Sequence, residues 1–136
     1  MADRPEFLRF LSVENVLLLH RDTVEREGGA AGILNPGMLD SAVAMPRQQF
    51  GGEYLHRDLA AMAAAYLFHL NLNHPFEDGN KRTSVLAATT FLIINGHRLV
   101  AEPDDLEHVT LAVAAGEMSK ADLTDWVRER IKPTYD

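Results

Sequence analysis

Apolar residues recur along this chain at three- and four-residue steps almost from end to end, the period of helices with one face turned to a core. Val13, Val16, Leu17, His20 and Val24 form the first series, with Ser12 placed to cap its start and Gly28-Gly29 to stop it. Asn35-Pro36 reads as an N-cap followed by proline at the first helical position. The helix it opens turns Met38, Leu39, Ala42 and Val43 inward and is limited by Pro46. A third helix carries Leu59, Met62, Ala63, Tyr66 and Leu70 on one face. Val85 to Ile94 is apolar on nearly every side apart from two threonines, which predicts a helix in the middle of a bundle with the others around it. Asn95-Gly96 ends it with residues that tolerate the left-handed conformation. Leu106, Val109 and Val113 mark a fifth helix. Leu123, Trp126, Val127, Arg130 and Ile131 mark a sixth, opened by the capping-box pattern Ser119 to Asp122 and stopped by Pro133. Only Gln48 to His56 lacks a helical period. Gly51-Gly52 between Phe50 and Tyr54 suits a short β-hairpin there, an ordinary surface loop being the other reading. The pattern therefore predicts an all-α fold, a compact bundle of about six helices with at most one small hairpin.

Composition narrows this picture. The chain has 136 residues and 15.1 kDa, 46% of them hydrophobic, which suits a single domain over residues 1–136 around one core. No repeat, low-complexity tract or linker divides it. The absence of cysteine excludes a disulfide scaffold, Cys-ligated metal sites and a thiol nucleophile. Acidic residues outnumber basic ones 20 to 13, a net charge of -7, which disfavours a general nucleic-acid binder and allows only a small local basic site. Met1 to Phe7 is charged and lacks the apolar stretch of a signal peptide. The longest run free of charged residues and histidine, Thr83 to Gly96, is mostly apolar and shorter than the roughly 20 residues of a membrane span. The expectation is a soluble cytoplasmic protein with no membrane partner.

The segment richest in chemistry is His74-Pro-Phe-Glu-Asp-Gly-Asn-Lys-Arg-Thr83, between the third helix and the fourth. A helix N-terminus exposes unpaired N–H groups and a partial positive charge. Lys81 and Arg82 on its first turn make it a site for an anion, most plausibly phosphate, with Gly79 letting the backbone come close and Asn80 offering its amide N–H. Asp78 supplies a hard oxygen of the kind that holds nucleotide-bound magnesium. His74 has the side chain to take a proton from a hydroxyl near neutral pH. These are the parts of phosphoryl or nucleotidyl transfer. Taken singly, His74 reads as a surface or capping residue, Asp78 as a helix N-terminal acid, and Lys81 and Arg82 as a solvated face; only their combination at fixed spacing carries the functional reading. The spacing is not that of a Walker loop, and a zinc site of His69, His74 and Asp78 matches no standard pattern. His56, His69, His97 and Tyr66 read as structural or surface residues, Phe76 and Trp126 as core.

This segment resembles the signature of the Fic superfamily, H-x-F-x-[DE]-G-N-G-R-x-x-R, and more closely its death-on-curing (Doc) branch, the toxins of bacterial and phage toxin–antitoxin pairs. Leu39 to Tyr54 resembles the family's flap region, and the Ala-rich helix leading into His74 is similar as well. The resemblance implies that His74 is the catalytic base, that Asp78 holds magnesium, that Gly79 and Asn80 form an anion-binding nest, and that Arg82 binds nucleotide phosphates. It implies that the flap, Phe50, Gly51, Gly52, Glu53 and Tyr54, aligns a target peptide as an added strand. Lys81 stands where AMP-transferring members have glycine, and Val85 where they have a second arginine. Both changes are shared with the Doc branch, where they accompany transfer of the γ-phosphate of ATP to a threonine of elongation factor Tu. The expected protein is thus an ATP- and Mg2+-dependent protein kinase toxin, with a cognate antitoxin whose flexible tail folds into a groove. An AMP transferase and an inert binding module are the alternatives.

Overall fold

The computed structural model describes residues 8–135; the charged Met1 to Phe7 segment lies outside the described residues. Six helices follow in order: α1 (Val13–Glu27), α2 (Pro36–Ala44), α3 (Leu59–Asn73), α4 (Asn80–Ile94), α5 (Pro103–Ala114) and α6 (Lys120–Arg128). A 3-10 turn (Met45–Arg47) extends α2. The predicted caps form. Ser12 and Asn15 make a reciprocal capping box at α1, and Gly28 closes that helix at φ 81°. Asn35 caps α2 ahead of Pro36, and the Ser119 hydroxyl accepts from the Asp122 N–H at α6.

The hairpin forms too. β1 (Gln49–Phe50) pairs antiparallel with β2 (Glu53–Tyr54) across Gly51 and Gly52, whose φ of 62° and 82° are what a two-residue hairpin turn demands. Sequence pattern missed a second pair. β3 (His97–Leu99) runs antiparallel to β4 (Ile131–Pro133), so Arg130 and Ile131 leave the sixth helix and Pro133 belongs to a strand instead of stopping a helix. Short strands of this kind carry too few residues to show a period of two.

The centre of the bundle is α3, not α4. Its residues Ala60, Met62, Ala63, Ala64, Ala65, Tyr66 and Leu67 are almost fully enclosed, and it packs against α2, α4, α5 and α6. Four of these are alanines, whose small side chains let neighbouring helices close in from several sides at once. The apolar end of α4 is split instead: Phe91 and Leu92 are fully buried, while Ile93, 62% exposed, and Ile94 face outward. Met38, expected inward, is also exposed. Trp126 is half-buried, packed on the edge of the core with the Arg130 guanidinium 4.3 Å from its ring centroid. At the end of α4 only Gly96 takes the left-handed conformation; Asn95, at φ -108°, spends its amide on the backbone of Arg9 and Phe91. No helix of the described residues is long and apolar enough to cross a membrane.

Polar ties fix α3 in place. The Tyr66 hydroxyl accepts from the Leu11 N–H at 2.8 Å, and burial pushes its phenol up to about 12. Burial pulls the Asp58 carboxyl upward, but the Arg128 fork and the Ala61 N–H outweigh it and hold the group below the usual carboxylate range. Lys120, at the start of α6, donates to His56 Nε2 at 3.2 Å and to His69 Nε2 at 3.1 Å. Burial, then the Lys120 charge, then His56 push His69 down to about 4. Burial and Lys120 lower His56 as well, against an opposing pull from the Met45 backbone.

These two imidazoles are neutral in the folded protein at pH values where the unfolded chain already protonates them. Their contribution to stability is complete above the unfolded value of 6.5 and is lost as the pH falls toward about 4. The urea midpoint is expected to fall across that window, and His69→Gln is expected to flatten the fall. Denaturation series at several pH values in both proteins check this; identical slopes would refute it.

Candidate active site

The segment from His74 to Arg82 is built as a loop pinned on three sides. The first pin is internal. Asn80, 4% exposed, accepts from the Phe76 N–H with its side-chain oxygen (3.0 Å) and donates its side-chain N–H to the Phe76 carbonyl (2.9 Å). A single carboxamide thereby satisfies both peptide groups of a buried residue. Both ends of the Asn80 side chain bond Phe76, so the residue shapes the loop, while its second amide N–H takes no part in these two bonds.

The second pin is α1. The His20 ring stacks on Phe76 at 3.7 Å between centroids and 9° between planes, and its Nε2 lies 2.8 Å from the Asp78 carbonyl, to which it donates. His20 appeared in the sequence only as one position of an apolar helix face. A polar residue at such a position was the available signal. The third pin is the connection between α1 and α2. Leu34 and Asn35 donate backbone N–H groups to the Pro75 carbonyl, Glu77 donates to the Gly32 carbonyl, and Ile33 bridges Phe76. Ala30 donates its N–H to Asp78 Oδ2 at 2.7 Å.

Between these pins the candidate groups reach the surface. His74 caps α3 in the left-handed conformation (φ 47°, ψ 56°), the only positive φ outside glycine among the described residues. That geometry turns the chain abruptly, and the exposed ring has no hydrogen-bond partner among the described residues. Asp78 is exposed and keeps one oxygen unused. Gly79, at φ 82°, is the N-cap of α4 and offers no capping side chain, so the N–H groups of the first turn remain open. Lys81 and Arg82 are exposed on that turn. Thr23 and Thr83 bury hydroxyl oxygens without partners beside it.

The start of α4 opens into a cleft of about 470 Å3 between α4 and α5. Gly79, Asn80, Lys81, Arg82 and Val85 form one wall, Leu106, Thr110 and Leu111 the other. The size is that of a nucleotide-sized site. His74 and Asp78 are not among its lining residues. Glu27, at the end of α1, also lines the cleft and pairs with Arg82 at 3.0 Å, both side chains half-exposed. No cluster of three metal-ligating side chains exists among the described residues. The Asp78 carboxylate with one open oxygen fits magnesium carried in on a phosphate, which needs only one or two protein ligands. The flap stands apart as an exposed hairpin, Phe50 79% exposed at its tip and Tyr54 against Phe10.

Comparison with known proteins gives concordant matches. A model of the Fic/DOC family matches residues 10–92. The protein named Protein kinase doc, of Escherichia phage P1, is 31% identical over 121 residues, 89% of this chain and 94% of that protein. The protein named Toxin Doc, of Mycolicibacterium smegmatis, is 46% identical over 77 residues, 57% of this chain and 59% of that protein.

Two outcomes test this geometry. Asn80→Ala strands the Phe76 N–H and carbonyl in the core and is expected to cost about 2–4 kcal/mol in denaturant titrations. A cost near zero would mean that the loop is held without it. Glu27→Gln frees the Arg82 guanidinium and is expected to tighten Mg–ATP binding about two- to fivefold, the range of an exposed ion pair. Titration calorimetry at low and high salt measures this, and an unchanged affinity would show that Arg82 does not meet the anion.

Proposed function

The chain belongs to the Fic/DOC family, in its Doc-type branch, and from that premise we propose that it is the toxin of a toxin–antitoxin pair acting as an ATP-dependent protein kinase. The observation that carries the proposal is the uncapped start of α4, where open N–H groups and two cations, Lys81 and Arg82, border a nucleotide-sized cleft, with an exposed, unpartnered His74 at the other end of the same loop. The proposed substrate is a Ser/Thr hydroxyl of a translation factor, elongation factor Tu by resemblance, modified in the cytoplasm.

Each residue then has a physical task. The α4 N-terminus with Lys81 and Arg82 stabilises the charge that gathers on the phosphate oxygens as the bond breaks. Asp78 holds magnesium, which when bound neutralises part of the nucleotide charge. His74 takes the proton from the attacking hydroxyl; its exposed ring is free to accept because nothing else among the described residues engages it. The hairpin offers short, exposed strand edges to which a target segment can add. Val85 presents an apolar side chain in the cleft where AMP-transferring relatives have arginine, which favours transfer of the terminal phosphate. A separate antitoxin with a flexible tail restrains the activity.

Incubation of antitoxin-free protein with elongation factor Tu and γ-labelled ATP is expected to label the factor, while α-labelled ATP leaves it unlabelled. His74→Ala is expected to abolish transfer with the fold intact by circular dichroism. Label from the α-position would assign an AMP transferase, and no label from either would assign a binding module.

A further inference from the structure

The connection between α1 and α2 opens on Gly28-Gly29-Ala30-Ala31-Gly32 and crosses the loop that carries Asp78. Asp78 is held at both ends. Its carbonyl accepts from His20 Nε2 at 2.8 Å, which fixes the peptide group. Its Oδ2 accepts from the Ala30 N–H at 2.7 Å, a distance typical of a bond to a carboxylate, which fixes the rotation of the side chain. Oδ1, which has no partner among the described residues, therefore points in one set direction although the residue itself is exposed.

Gly29 is what lets the strap come this close. It sits at φ 113°, a conformation that strains any L side chain. A Cβ there would stand 3.0 Å from the Asp78 Cβ and 3.3 Å from its Oδ2, so the carboxylate would have to yield. Gly28, one residue earlier, also has a positive φ, 81°, but a Cβ on it would meet nothing within 4 Å. The two neighbours thus share a backbone that penalises a side chain, and only Gly29 touches Asp78.

We propose that Gly29 and Ala30 are positioning residues for a divalent cation: the Ala30 N–H, brought within reach by the bare Gly29 backbone, aims Asp78 Oδ1 at a metal carried in on nucleotide phosphate. The inference rests on the proposed role of Asp78 as the magnesium ligand. A side chain already oriented before the cation arrives has little rotamer freedom left to lose on binding. Partners that orient a ligand in this way contribute to metal affinity without touching the metal. Neither residue belongs to the segment from His74 to Thr83, and each acts only through Asp78.

The test measures Mn2+ binding by electron paramagnetic resonance to the full chain saturated with the non-hydrolysable β,γ-imido analogue of ATP. Gly29→Ala is expected to weaken Mn2+ about tenfold, the lower end of what loss of an orienting partner costs, while the affinity for the metal-free analogue stays unchanged. Gly28→Ala carries similar backbone strain and is expected to leave Mn2+ affinity as it is. If Gly29→Ala does not fold, Ala30→Pro, which deletes the donor outright, takes its place. A second readout needs no ligand: exchange of the Ala30 amide hydrogen is expected to be slow in the unmodified chain and faster in Asp78→Ala. A loss of Mn2+ affinity in Gly29→Ala no greater than in Gly28→Ala overturns the proposal, as does an Ala30 amide that exchanges equally fast with and without the Asp78 carboxylate. Unchanged Mn2+ affinity in Asp78→Ala overturns the role of Asp78 itself and the positioning role with it, so the two failures are told apart.

Discussion

The site depends on one side chain that never has to touch a ligand. Asn80 closes the turn between Phe76 and α4 by pairing with both peptide groups of Phe76 inside the core. A carboxylate in its place could accept but not donate, and one amide does both here. Fixing this turn fixes the Phe76 ring, and the ring gives His20 a surface to stack on. His20 then reaches the Asp78 carbonyl and ties α1 to the loop. A loop that would otherwise cost the full backbone entropy of ordering is thus held by a chain of mutually dependent buried contacts.

The bundle supplies what this chain of contacts rests on. Because α3 is rich in alanine, α4 can pack closely along it, and the loop between them leaves from a rigid base. The connection from α1 to α2 lies over the same loop and fixes it through the Pro75 and Asp78 acceptors. Electrostatics follow the same local logic. A net charge of -7 leaves little positive surface, yet the two cations that matter share the first turn of a helix whose own terminus adds to them. Glu27 balances one of them, so the cleft is less positive than its lysine and arginine alone suggest.

Helix existence and capping were legible in the sequence because they are local: Ser12, Asn35 and Ser119 cap where their spacing predicts. The hairpin was legible for the same reason, through Gly51-Gly52. The centre of the bundle was not. Val85 to Ile94 looked like the buried helix because hydrophobicity counts atoms, whereas close packing depends on size, and the alanines of α3 win on that measure. The β3–β4 pair was hidden because it joins segments more than thirty residues apart, beyond any local period. Within the site, the chemical residues were legible from their types, but the roles of Asn80, His20 and Glu27 were not. Each is set by a partner distant in the sequence or by a buried peptide group, neither of which a motif displays.

A folded loop can offer a ligand only the hydrogen-bonding capacity it has not spent on itself. The Asn80 oxygen, one of its amide N–H groups, His20 Nε2 and one Asp78 oxygen are spent. What is left includes the His74 ring, the other Asp78 oxygen, the N–H groups of the first α4 turn, Lys81, and Arg82 once Glu27 gives way. That remainder is an imidazole, a carboxylate oxygen and a cradle of positive charge, the set on which the proposed phosphoryl transfer draws. The division between spent and unspent groups is thus set by the hydrogen bonds themselves, which the motif does not display.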